Sequence, residues 1–533
     1  MFINYFTFRC KELTMRKYLL LLLVPAFYSA PLLSWAQAEP IDSVMIQRIR
    51  EEGLHHSQVR PIAHAITDVA GPRLTNSPGW HRAADWFVNT MKEWGLSNAQ
   101  KEAWGEFGYG WWLERSYVAM KTPYYSTLLA YPAPWSGSTN GPVTAPVLLV
   151  KKMDSAYIVE HASEFKGKIL LFQSVDSSLK GDFTADATRY SDADLAKLGD
   201  TYMFNRQMVQ MILPQLKRMM QLKQMIRDAG PAAILEVSRG GRDGTVFVDG
   251  FGGYHKADQP ARPDLIVEKE DFLRIQRLLE GDTPVQVELD VQAKLTSDLQ
   301  GHNVVAEIPG TDPTLKAEVV MLGGHLDSWA SATGATDNGA GSIVAIEAIR
   351  ILKTLGVKPR RTIRISLWDG EEQGLLGSFH YVKNHFGDPA DMKLKPEQEK
   401  VSAYFNLDNG SGKIRGIFAQ GNEKVVPIFT QWLEPFKDLG ASTVSLHNTG
   451  STDHLSFDAV GIPGFQFIQD PLDYESRTHH SNSDNYDHLL PDDLAQAATI
   501  LAAFVYNTAQ RADKLPRKPL SKPEKFIFDD LLP

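Results

Sequence analysis

Three short stretches carry side chains able to hold a divalent cation. GGHLDSW at 323–329 contains His325 and Asp327, ATDNGAGS at 335–342 contains Asp337, and WDGEEQG at 368–374 contains the pair Glu371 and Glu372. A single His-x-Asp is ordinarily a satisfied surface pair, and a single Glu-Glu a solvated helix start. Here two of the three follow an apolar run that reads as a buried strand, EVVMLGG before His325 and TIRISLW before the glutamates. Loops at the carboxyl ends of strands in open α/β sheets are where such folds hold ligands. Glycines 323, 324, 334, 339 and 341 indicate backbone turning tightly around something. Carboxylates and an imidazole converging there repel one another unless a cation neutralises them, and Zn²⁺ takes N and O ligands of this kind.

Two later groups complete the set. AYFNLDNGSG, 403–412, is another apolar run ending in an acid, Asp408, and RTHHSNSDNYDHL, 477–489, supplies His479 and His480 from a polar loop. With one histidine of that pair and Asp327 set aside, two histidines, two aspartates and two glutamates from five loops suit two metals about 3.5–4 Å apart sharing one carboxylate.

The elements that must position these residues read as alternating strands and helices. Strands are expected near 302–308, 317–323, 361–368 and 401–408, and helices over 339–355 and 372–386. That rhythm is a βαβ series, hence an α/β fold with a mixed, mostly parallel sheet sandwiched by helices. Upstream, 41–70 and 80–95 read as helices. The second carries Trp80, Ala83, Ala84, Phe87, Met91 and Trp94 at spacings of three and four, a packing stripe. The turn-forming GPRLTNSPG separates the two helices. Strand-like runs follow at 100–106 and 113–121.

Residues 124–295 change character, with dense Pro and Gly at 131–142 and then short apolar runs such as APVLLV and KGKILLF. The stretch between Asp176 and Asp228 reads as a helical insertion. Its methionines at 203, 208, 211, 219, 220 and 225 are read as core gap-fillers. No His-Asp-Glu cluster falls in this region, so no chemistry is expected from it. The Lys- and Pro-rich tail, 514–533, is expected to wrap the surface or stay disordered. The resulting division is 1–38, 39–123, 124–295, 296–513 and 514–533.

At the N-terminus Arg16 and Lys17 precede an apolar run from Leu19 to Trp35, followed by Ala36-Gln37-Ala38. This is the pattern of a secretory signal peptide cleaved after Ala38, which predicts a secreted or periplasmic protein, with Met1 or Met15 as the start. Removing 1–38 leaves 51 Lys and Arg against 63 Asp and Glu, a net charge of −12. Such a balance excludes nucleic acid and anionic membrane as partners. The sole cysteine, Cys10, leaves with the signal, so no disulfide is available and the fold must be held by its cores or by metal.

The order His-x-Asp, Asp-Asn-x-x-Gly, Glu-Glu, Asp, His resembles the dizinc exopeptidases of peptidase clan MH, the family of aminopeptidases and glutamate carboxypeptidases. GGHLDSW, LWDGEEQGLLGSF, STDHLSF and HHSNSD resemble its carboxypeptidase Q-like branch, and KGKILLF is similar to the core of a protease-associated domain, here a β-rich insertion at 124–295. The resemblance implies two Zn²⁺ per chain. Asp337 would bridge them, His325 and Asp408 would complete one site, and Glu372 and His480 the other, with His479 as the alternative to His480. Glu371 would be the general base and Asp327 would hold the far nitrogen of His325. Asp484 would orient the histidine loop, and Asp453 and His454 would line the pocket or serve the structure. The implied activity is hydrolysis of small peptides by a metal-bridging hydroxide. Carboxypeptidase or dipeptidase specificity stands beside aminopeptidase specificity. A one-zinc cyclotransferase like glutaminyl cyclase and a non-catalytic receptor-like relative are the other readings, and a homodimer is allowed.

Overall fold

Register along three central strands brings the chemistry to one edge of the molecule. In the computed structural model, which describes residues 39–174, 184–198, 206–250, 253–258 and 262–526, Val319–His325 pairs in parallel with Thr362–Trp368 and with Val401–Asn406. His325 lies opposite Trp368, and Gly323 opposite Asn406. The strand ends are therefore level, and the residues just past them share one rim.

These strands belong to an eight-stranded sheet in the order Ser97–Glu106, Gln300–Ile308, Thr362–Trp368, Val319–His325, Val401–Asn406, Gly464–Gln469, Ile414–Phe418, Thr443–Ser445. Central parallel strands are buried on both faces and so read as continuous apolar runs. Their side chains still alternate. Val304, Val320, Leu322, Ile363, Ile365, Ala403 and Phe405 face the core formed with helices Ala340–Thr354 and Pro491–Gln510. Val305, Met321, Trp368 and Tyr404 face the opposite core, with Tyr381 and Val382 of Leu376–His385. The sheet is mixed: Gln300–Ile308 runs antiparallel to Thr362–Trp368, with no helix between it and Val319–His325, and Gly464–Gln469 runs antiparallel to Ile414–Phe418.

Two elements differ from their sequence outline. The expected 41–70 helix is interrupted: Ser43–His55 is capped by Asp42, which accepts from Met45 N–H at 3.0 Å, and a new helix, Val59–His64, widens into a looser turn over Ala65–Val69. The glutamate pair precedes the helix Leu376–His385 by several residues and lies in a tight turn rather than at the helix start. The helix Pro78–Glu93 begins on Ser77 and Pro78 and buries Trp80, Ala83, Ala84, Phe87 and Met91.

The second sheet has the order Ser126–Thr127, Trp111–Thr122, Gln286–Leu295, Val143–Val150, Ile169–Phe172, Ala233–Val237, Asp264–Val267, Ala130–Pro132. It has its own core, around Met120, Ile169, Leu235, Phe272 and Val287. Its longest strand, Trp111–Thr122, lies upstream of residue 124. Met225 of the helix Arg206–Asp228 packs against a cluster that includes Ile158, Phe165 and Leu170. Met211 and Met220 are exposed, so gap-filling describes only part of this methionine set; Met203 and the 1–38 segment lie outside the described residues. In the tail, Leu515 and Phe526 are buried, the latter stacked on Phe379 at 4.5 Å. Among the described residues no helix is long and apolar enough to cross a membrane.

Candidate metal centre

His325 is the last residue of its strand and is buried. Its Nδ1–H donates to the backbone carbonyl of Asp327 at 3.0 Å, which turns Nε2 toward three carboxylates; burial works to lower this imidazole, but Asp408 and Glu371 outweigh it and hold it well above its ordinary range. Asp408 Oδ1 lies at 3.2 Å, Asp337 Oδ1 at 3.4 Å and Glu371 Oε2 at 3.9 Å. Asp408 stands two residues past the strand Val401–Asn406, as the register requires. Asp337 comes from the turn Ala335–Gly339, at the foot of the helix Ala340–Thr354. That turn is pinned from two sides. Asp484 accepts the backbone N–H groups of Thr336 and Asp337, and Asn338 donates to the carbonyl of Leu407 at 2.9 Å. A Cβ on Gly341 would lie 2.0 Å from that same carbonyl, so only glycine lets the helix approach the Asp408 strand.

Asp327 does more than its expected part. Its carboxylate approaches His325 Nδ1 at 3.5 Å, but its hydrogen bonds come from the backbone N–H groups of Glu371 and Glu372, both at 3.3 Å, and from the Thr75 hydroxyl at 3.1 Å. It thus fixes the turn that carries both glutamates.

The last group is His480, whose Nε2 lies 3.3 Å from Asp337 Oδ2 and 3.0 Å from Glu372 Oε2. His479 reaches Asp337 Oδ2 only at 3.9 Å. Its other nitrogen faces Glu475 at 3.4 Å, and its ring stacks on Tyr474 at 4.6 Å. Burial and the adjacent His479 push His480 down to about 3, leaving it neutral, the form in which imidazole binds a cation. His479 is partly exposed; desolvation works to lower it, but Glu475 and Asp337 outweigh that and hold it up at about 9.

The electrostatics demand a counter-charge. Burial pushes Glu371 and Glu372 well above the usual carboxylate range. Asp337 is buried as well, yet the histidines around it hold it below that range. Asp337 Oδ2 and Glu372 Oε1 are buried and accept no hydrogen bond, which a buried carboxylate oxygen does not tolerate without a partner. Crowded carboxylates, neutral imidazole and orphaned oxygens are a donor set that fits a divalent cation. Two triads lie within mutual ligating reach, His325–Asp337–Asp408 and Asp337–His479–His480.

Arg73 was not singled out in the sequence, where it sits among turn formers. It is buried beneath the site and donates to the carbonyls of Leu326 (2.6 Å), Gly334 (2.7 Å), Ile66 (3.2 Å) and Thr333. Burial pulls its guanidinium down to about 10, against Asp484, Asp327, Asp337 and Glu372, which hold it charged. Asp453 and His454 are fully buried, His454 bonding to the Thr449 carbonyl and to Gln420. Burial pushes Asp453 up to about 8 and His454 down to about 3. Trp329 closes the centre on one side, edge-on to His480 at 5.7 Å. It packs into an aromatic cluster with Phe107, Trp135 and Tyr254.

Similarity to known proteins agrees with this geometry. The chain is 26% identical over 452 residues to carboxypeptidase Q of Pongo abelii, covering 85% of each sequence. Its fold is that of a peptidase M28 precursor from Shewanella amazonensis (TM-score 0.64, 23% identity, 90% of this chain and 98% of that one). It is also that of BSAP, a zinc aminopeptidase from Bacillus subtilis (TM-score 0.53, 20% identity, 86% and 96%). Residues 303–505 match the family described as peptidase family M28, and that stretch contains every side chain of the two triads.

Proposed function

We propose that the protein is a zinc-dependent exopeptidase acting on small peptides, with two Zn²⁺ held by His325, Asp337, Glu372, Asp408 and His480. The observation that carries this reading is the placement of Asp337: Oδ1 faces His325 Nε2 at 3.4 Å and Oδ2 faces His480 Nε2 at 3.3 Å, so one carboxylate addresses two sites. His480, whose Nε2 is in reach of both Asp337 and Glu372, is the better placed ligand, whereas His479 faces Glu475.

Bound at these positions, the two cations supply Lewis acidity and bring the pKa of water toward neutrality. Glu371 is the general base: it stands 3.9 Å from His325 Nε2, takes a proton from the attacking water and delivers it to the leaving amine. Asp327 holds the backbone of Glu371 and Glu372, so base and ligand project from one rigid turn. The aromatic wall around Trp329 keeps bulk water from this side and strengthens the interactions inside.

Carboxypeptidase Q supports a carboxypeptidase or dipeptidase, and the zinc aminopeptidase of Bacillus subtilis supports action at the free amine. Comparing rates on unblocked dipeptides, N-blocked peptides and C-blocked peptides separates them: a carboxypeptidase keeps N-blocked substrates, an aminopeptidase keeps C-blocked ones, and a dipeptidase loses both. Zinc analysis of the active protein finding fewer than two ions per chain would overturn the two-metal reading and return the one-zinc cyclotransferase to contention. The reading includes export, with cleavage after Ala38, and allows a homodimer; N-terminal sequencing and sedimentation check the two.

A further inference from the structure

His480 stands in an unusual backbone conformation, with φ of +61°. Left-handed backbone is disfavoured for a residue with a Cβ, and it persists only where the surroundings over-determine it. Those surroundings come from the second sheet's region. Val248 N–H donates to the His480 carbonyl at 2.7 Å, Phe247 and Ser481 form a single antiparallel bridge, and Asn482 N–H donates to the Val246 carbonyl at 3.0 Å. The Asn482 side chain doubles the link: its Oδ1 accepts Val246 N–H at 2.7 Å and its Nδ2 donates to the Gly244 carbonyl at 3.1 Å.

The segment 244–248 is itself anchored. Val246 and Val248 are buried, and Phe247 N–H donates at 2.8 Å to the hydroxyl of buried Ser238, which directly follows the strand Ala233–Val237. The start of the same loop is gripped as well. Thr188 exchanges two backbone hydrogen bonds with Leu472 (3.0 and 2.8 Å), Arg189 pairs with Asp470 at 2.8 Å, and Ser476 donates to the Asp186 carbonyl at 2.7 Å. Both grips come from the region between the two halves of the first sheet, where the sequence holds no ligand.

We infer that this region is a clamp that sets the second metal site, with Asn482 and Ser238 as positioning residues that keep His480 aimed at Asp337 and Glu372. The inference rests on the two-zinc reading for its consequence, although the clamp itself is independent of metal. His325 and Asp408 sit on strand ends of the first sheet and need no such help. Loosening the clamp therefore weakens one zinc and spares the other.

The test uses the full chain and two variants, Asn482→Ala and Ser238→Ala. In the first arm, hydrogen exchange of the metal-free protein is followed by mass spectrometry; peptides spanning 478–484 exchange faster in both variants while those spanning 319–325 do not change. In the second arm, protein is dialysed against graded chelator and its zinc counted. The variants fall to one zinc where wild type keeps two, with the weaker ion bound roughly 10–100-fold less tightly, the usual loss when a group supporting a ligand is removed. Excess zinc restores occupancy and turnover, which a misfolded variant would not allow. Wild-type exchange at 478–484 in both variants overturns the clamp. Faster exchange with wild-type zinc retention overturns its role in metal binding. Fewer than two zincs in wild type overturns the proposed function, and the exchange arm still decides the clamp.

Discussion

Glu371 and Glu372 are adjacent, share one anchoring carboxylate and differ in what they face. Glu372 approaches His480 at 3.0 Å, whereas Glu371 approaches His325 at 3.9 Å. Glu371→Gln is expected to keep fold and zinc and lose about 10²–10⁴-fold in turnover, because the amide matches the shape of the acid but takes no proton. Glu372→Gln is expected to lose zinc as well as rate. Parallel kinetics and elemental analysis of the two variants check this, and the reverse pattern would exchange their roles. Arg73 offers a contrasting case, because it touches no ligand. Arg73→Lys keeps the charge but loses the planar fork that serves four carbonyls, leaving buried acceptors unpaired. A loss of about 1–3 kcal/mol is expected, the penalty of leaving a buried acceptor unpaired, read from urea denaturation.

Elements meet at this site with almost no tolerance. The helix Ala340–Thr354 reaches the strand Val401–Asn406 through Gly341, where a Cβ would sit 2.0 Å from the Leu407 carbonyl and 2.5 Å from Asn338 Oδ1. Gly341→Ala must therefore push the Asp337 turn away from Asp408. A destabilisation of about 1–3 kcal/mol is expected from such overpacking, together with weaker zinc retention, measured by thermal melting with and without chelator. The histidine loop carries a gentler effect. Asp473 and His488 meet at 2.7 Å, a contact that raises His488 above 6.5 and lowers Asp473 below 3.8. The histidine's contribution is complete below 6.5 and fades as pH rises through its raised folded value. The aspartate's is complete above 3.8 and fades as pH falls through its lowered one. His488→Gln should thus differ most from wild type between pH 3.8 and 6.5 and converge with it at high pH. The gap in melting free energy is at most about 1 kcal/mol, since both groups are partly solvated.

For the whole molecule, the proposed cations would couple binding to folding. The centre draws ligands from turns after three strands of one sheet and from a loop held by the other region, so an ion bound there ties distant parts of the chain together. Each zinc present at 100 times its dissociation constant adds about 2.7 kcal/mol. Removing zinc with a strong chelator should lower the melting temperature measured by calorimetry, and zinc addition should restore it. A melting temperature unmoved by chelator would separate the centre from stability. With one cysteine, Cys10, the chain has no internal disulfide to offset such a loss.

Much of this was legible in the chain because the informative features are local. Apolar runs that end in His325, near the glutamate pair and just before Asp408 show where strands stop, and parallel strands align their ends by hydrogen-bond register. A linear pattern thus predicts a convergent site. The packing stripe from Trp80 to Met91 was legible for the same reason, since its period is that of one helix. What only the tertiary structure decided depends on contacts between distant segments. These are the capture of the glutamate turn by Asp327, the burial of Arg73 under the site, the antiparallel course of Gln300–Ile308, and the grip of 244–248 on the histidine loop. Each rests on hydrogen bonds between residues far apart in sequence. Such bonds leave no periodicity behind, so composition and spacing are silent about them until the chain is folded.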